Sequence, residues 1–99
     1  MPKGYVILTE AIRDSAGMNA YSAASAPSLA RSGASVLSVD SRPRVLEGDW
    51  HGDRTVVLEF ESVEAAHAWY DSEEYRAARP LRLAAADTNV VIVEGFEMR

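Results

Sequence analysis

Four apolar runs rich in β-branched residues limit this chain's choice of fold more than any other feature. They are YVILTEAI (5–12), ASVLSVD (34–40), RTVVLEF (54–60) and NVVIVEGF (89–96). Each has the length and the side chains of a strand. Helical stretches separate the first from the second and the third from the fourth. Asp14 and Ser15 are N-cap candidates for a helix from about Ser15 to Arg31, which Pro27 should kink and Gly33 end. Ser62 is placed to cap a helix through Asp71, and Ser72 another that opens on Glu73 and Glu74. Pro80 should interrupt that last helix or open a new turn. A short strand is expected at RVLEG (44–48), and a glycine-rich turn at GDWHGD (48–53). The resulting order is β-α-β-β-α-β. It predicts a ferredoxin-like α+β fold: one antiparallel sheet with its helices on one face, filling residues 1–99 as a single domain.

Side chains alternate along a strand, so each run has two faces. Tyr5, Ile7, Thr9 and Ala11 oppose Val6, Leu8, Glu10 and Ile12; Val56, Leu58 and Phe60 oppose Val57 and Glu59; Val91 and Val93 oppose Val90, Ile92, Glu94 and Phe96. A sheet with one wet face should alternate apolar with polar, and this one does so poorly. Val6, Leu8, Val57, Val90 and Ile92 are expected on the side the helices leave uncovered. An apolar patch of that extent marks an interface, which predicts a homodimer built sheet to sheet. The short chain, 99 residues, would gain from such a partner.

Charge and cysteine content exclude several functions. The net charge of −5 opposes nucleic acid and anionic membranes, and the sheet offers aliphatic rather than stacking aromatic side chains. With no cysteine there is no disulfide, thiolate metal site or cysteine nucleophile. The start, MPKGYVILTE, is too short in apolar residues for a signal peptide or membrane span, so a cytoplasmic location is expected.

The stretch AAHAWYDSEEYRAARPLR (65–82) concentrates the residues able to do chemistry. On a helical wheel Val63, Ala65, Ala66, Trp69 and Tyr70 form one stripe, with Glu64, Ala68 and Asp71 opposite and His67 at the edge. Trp69 and Tyr70 read most simply as core; alternatively they floor a pocket, with the Tyr70 hydroxyl as a polar handle. His67 is a candidate acid–base catalyst. No carboxylate is spaced to orient it, and its Glu64-x-x-His67 pattern lacks the second copy that a di-iron site needs. Tyr75, Arg79 and Arg82 share a helical face if the helix continues through Pro80, and the guanidiniums could clamp a carboxylate or phosphate. They could equally pair with Glu10, Glu59 or Glu94. The candidate ligand-binding set is therefore Tyr21, Trp69, Tyr70, Tyr75 and Arg82. Glu47, Asp49, His51 and Asp53 invite a metal reading, but the flanking glycines explain their turn without one. No phosphate loop, dinucleotide fingerprint or nucleophile elbow is present, and neither metal nor cofactor is expected.

Several segments together resemble the domain-of-unknown-function family 1330 (DUF1330): KGYVI at the first strand, Tyr21 and AP (26–27) in the first helix, VLEGDW (45–50), VVLEFES (56–62), AWYDSEEY (68–75), PLR (80–82) and VEG (93–95). The resemblance spans Gly4 to Gly95. It implies a face-to-face dimer of ferredoxin-like sheets, a dimeric α+β barrel. It supplies no substrate and no catalytic residues. Similar barrels host cofactor-free monooxygenases, isomerases and dechlorinases. The expected function is binding or transforming a small, partly apolar molecule, an anion being one option, in a helix–sheet pocket. The alternatives are a non-catalytic ligand-binding or stress-related accessory dimer and a cofactor-free monooxygenase- or isomerase-like enzyme.

Overall fold

A computed structural model of the chain describes residues 2–97. The elements run β1 (Gly4–Ile12), α1 (Ser15–Ser32), β2 (Ser35–Asp40), β3 (Arg54–Phe60), α2 (Val63–Asp71), α3 (Glu73–Ala85) and β4 (Ala86–Glu94). The strands form one sheet in the order β2-β3-β1-β4, with every neighbouring pair antiparallel. This is the ferredoxin-like arrangement, its second helical stretch divided into α2 and α3.

The helix ends follow the side chains expected to cap them. Asp14 accepts from the Gly17 N–H at 3.1 Å, and the Ser62 hydroxyl accepts from Ala65 at 3.0 Å. Ser72 both ends α2, by donating to the Trp69 carbonyl, and starts α3, by accepting from the Tyr75 N–H. Gly33, at φ 73°, closes α1 in the left-handed conformation that glycine adopts most readily.

Three local expectations are corrected. Residues 44–48 form no strand: the chain from β2 to β3 is an irregular connection. Pro80 does not interrupt α3, which runs unbroken from Glu73 to Ala85. Proline lacks one intrahelical donor, and here its ring lies on the exposed side. The last strand begins at Ala86 rather than Asn89, so α3 passes into β4 with no connecting loop.

The assignment of sheet faces also changes. Residues paired across an antiparallel ladder share a face. Val6 pairs with Leu58 and Ile92, and Leu8 with Val56 and Val90. Val6, Leu8, Val90 and Ile92 therefore lie under the helices, where Val6 and Leu8 are fully buried. Of the five residues expected on the uncovered side, Val57 alone is there. Its companions are Ile7, which pairs with it, Val91, which pairs with Ile7 from the other side, and Tyr5 and Val93 one register step away. The open face is still apolar, but the opposite residues of β1 and β4 make it so.

The core lies between the other face and the helices. Phe60, Trp69 and Tyr75 form its aromatic centre, with ring centroids 5.4 Å and 4.1 Å from Trp69. The Trp69 indole N–H donates to the Ser28 hydroxyl at 3.0 Å, tying α2 to α1. Strand β2 is exposed along its whole length because no helix covers it.

Candidate binding site between α1 and the sheet

One row of the helix-facing side of the sheet is polar. Below the buried pairs of Val6 and Leu8, the register sets Glu10 opposite Arg54 on β3 and Thr88 on β4. Glu10 is 1% exposed, and its Oε1 accepts from Arg54 Nε at 2.7 Å. Its Oε2 accepts no hydrogen bond from any described residue. The backbone here is fastened by the loop before β3. Asp53 N–H donates to the Glu10 carbonyl at 2.7 Å, and the Asp53 carboxylate accepts from the Ile12 N–H. Gly52, at φ 81°, lies so close that a side chain would meet the Glu10 carbonyl carbon at 2.5 Å.

A second polar group lies above this row. The Tyr21 and Tyr75 hydroxyls are 2.8 Å apart, and Arg82 Nε donates to Tyr75 at 3.2 Å. Arg82 Nη1 donates to Thr88, which joins this group to the sheet. Burial pushes the Tyr21 phenol well above the usual tyrosine range, and the adjacent Tyr75 hydroxyl adds to the shift. Burial alone would lower the Arg82 pKa; the Tyr75 hydroxyl beside it reverses the direction, and the guanidinium stays charged.

Beside Glu10, α1 and the β2–β3 edge frame a half-open cavity of about 160 Å³. Its walls are mainly apolar: Leu8, Val56 and Leu58 from the sheet, Tyr21 and Trp69 from the helices. Glu10 and Arg54 are its charged members. Val36 and Val39, 55% and 57% exposed, stand at its rim.

The structure distributes the sequence-derived site residues unevenly. Tyr21, Trp69, Tyr70 and Tyr75 cluster, with Trp69 and Tyr21 reaching the cavity wall. Arg82 is 2% exposed and does not line the cavity; two of its donors are engaged by Tyr75 and Thr88. Arg79 stacks on Tyr70, its guanidinium carbon 3.8 Å from the ring centroid. His67 lies apart, exposed, where it lines a shallow recess with Tyr70, Val90 and Ile92. In the loop, His51 Nδ1 is 2.7 Å from the Thr9 hydroxyl on the open face, and its Nε2 is 3.4 Å from Asp87. Among the described residues no three histidines or carboxylates gather as metal ligands.

Glu10 and Arg54 were not singled out from sequence as site residues. Part of the signal was there: alternation puts Glu10 in line with Val6 and Leu8, an ionised residue in an apolar row. Its partner depends on cross-strand register, and it is Arg54 rather than Arg79 or Arg82.

The family model described as Domain of unknown function (DUF1330) matches residues 3–96. The chain belongs to this family. A fold of the same kind is seen in solved structures. A protein of unknown function from Rhodopseudomonas palustris superposes with a TM-score of 0.81 at 22% identity, over 98% of this chain and 85% of that one. A dimeric protein of unknown function and ferredoxin-like fold from Bacteroides fragilis gives 0.62 at 15% identity, over 93% and 95%. A dimeric ferredoxin-like protein of unknown function from Thermobifida fusca gives 0.58 at 14%, over 94% and 91%. No curated protein matches the chain by sequence. Among the described residues of this DUF1330 protein, no helix is long and apolar enough to cross a membrane.

Proposed function

We propose that this DUF1330 protein is a homodimer that binds a small, partly apolar molecule in the cavity between α1 and the sheet. Glu10 carries the reading. A carboxylate at 1% exposure, with one oxygen held by Arg54 and the other unengaged, forms part of a wall otherwise made mainly of aliphatic and aromatic side chains. An ion pair in that position stabilises a fold no better than well-packed apolar residues would. Apolar walls with a few convergent polar groups are the usual make-up of a small-molecule site. Support for the dimer comes from the open face, where Val57, Ile7 and Val91 form a continuous apolar row and Val91 is 49% exposed. The Bacteroides and Thermobifida structures of the same fold are described as dimeric.

The test of the pocket is a thermal-shift screen of single-ring compounds against the wild type and Ala26→Trp. Ala26 is exposed on α1 and lines the cavity, so an indole there blocks it without disturbing the core. Compounds should raise the melting temperature of the wild type and not of the variant. Equal shifts in both proteins, or none in either, would overturn the reading.

A further inference from the structure

We infer that the ligand is a neutral, single-ring compound carrying a hydroxyl group, which donates to Glu10 Oε2. This rests on the pocket reading above and narrows it to a chemical class. Size is the first argument. A dry cavity of about 150 Å³ accepts benzene, and this one is about 160 Å³. One ring matches that volume, and longer substituents would extend past Val36 and Val39 at the open side. The walls make the second argument, because Tyr21 and Trp69 offer rings and Leu8, Val56 and Leu58 offer aliphatic surface, both of which favour a ring over a polar chain.

Polar chemistry decides the class. Most nearby hydroxyls are already engaged inside the protein. Tyr21 pairs with Tyr75, and Ser25 donates to the Ser22 carbonyl. What remains is the Glu10 Oε2 acceptor and the terminal nitrogens of Arg54, which have no partner among the described residues. A hydroxyl can donate to the first and accept from the second. A ring without one sets apolar surface against the Glu10 Oε2 acceptor and costs it its access to a donor. An anionic ring would set like charge against Glu10 in a poorly screened site, while the Arg54 charge is already held by Glu10 at 2.7 Å.

The test titrates the full-length protein with p-cresol, p-xylene and benzoate by ligand-observed NMR, using wild type and the double variant Glu10→Met, Arg54→Met. The double variant replaces both charges with apolar chains of similar length, so neither is stranded. The wild type should bind p-cresol about tenfold or more tighter than either other compound. In the double variant p-xylene should bind at least as tightly as p-cresol. If p-xylene equals p-cresol in the wild type, the cavity binds rings but the hydroxyl class is wrong. Tighter binding of benzoate would show an anion site and overturn the inference while sparing the pocket. If none of the three binds, the pocket reading itself fails. A wild-type preference for p-cresol that persists in the double variant would mean that another group receives the hydroxyl, which also overturns the assignment.

Discussion

The Tyr21 hydroxyl lies 2.8 Å from that of Tyr75, and this contact ties α1 to α3 inside the core. The rings meet edge to face, with centroids 6.2 Å apart. Arg82 then links Tyr75 to Thr88 on β4, so three elements meet at one phenol pair.

That pair predicts alkaline sensitivity. An unfolded chain loses its tyrosine protons near pH 10, whereas burial keeps the Tyr21 proton in place to higher pH. Above about pH 10 the unfolded state binds fewer protons than the folded one, so stability falls as pH rises. Urea midpoints measured from pH 8 to 11 should decline over the upper part of that range, and Tyr21→Phe should flatten the decline. At neutral pH that variant should lose about 1 kcal/mol, the size of one buried hydrogen bond. Equal slopes for both proteins would remove Tyr21 as the cause.

Arg82→Met tests whether Arg82 works inside the structure. The methionine keeps most of the apolar stem and removes the donors to Tyr75 and Thr88, which should cost about 1–3 kcal/mol in denaturant unfolding. Compounds that bind the cavity should keep their affinity, because Arg82 does not line it. A variant of wild-type stability that has lost ligand binding would refute this and return Arg82 to the site.

Trp69→Ala should cost about 3–5 kcal/mol, since the ring is 2% exposed and central to the aromatic cluster. The Ser28 hydroxyl loses its indole donor as well. A loss under about 1 kcal/mol by urea unfolding would mean that the packing around Trp69 collapses to fill the void.

For the assembly, Val91→Asp places a charge on the open face without touching the core. Sedimentation should give a dimer for the wild type and a folded monomer, by circular dichroism, for the variant. Leu8→Asp should instead unfold the chain, since Leu8 packs beneath the helices. A dimer that survives Val91→Asp at micromolar concentration would move the interface to another surface.

Local features were readable because their causes are local. Asp14, Ser62 and Ser72 each cap a helix within three residues of themselves, and β3 spans the seven residues its composition implied. What depends on pairing was not readable. Two apolar faces per strand are visible in the sequence, yet which face of β4 matches which face of β1 follows from the partners of Val6 and Leu8. The same limit hid the Glu10–Arg54 pair, 44 residues apart in sequence. Trp69 and Tyr70 fell on the expected helical stripe, whereas the meeting of Tyr21 with Tyr75 required α1 and α3 to pack side by side.

Strand β2 has no neighbour beyond it, and its ladder to β3 slips between Val36 and Ser38, leaving Leu37 as an extra residue. A bulge of this kind puts the outward amides and carbonyls out of step, so another chain cannot dock there as a regular fifth strand. Growth by edge addition is discouraged just where the exposed valines and leucine would otherwise invite it. In the proposed homodimer, association through the sheet face would be self-complementary and would close on itself at two copies. In such an assembly the irregularity at Leu37 would act as a chain terminator, favouring a finite particle over a fibre.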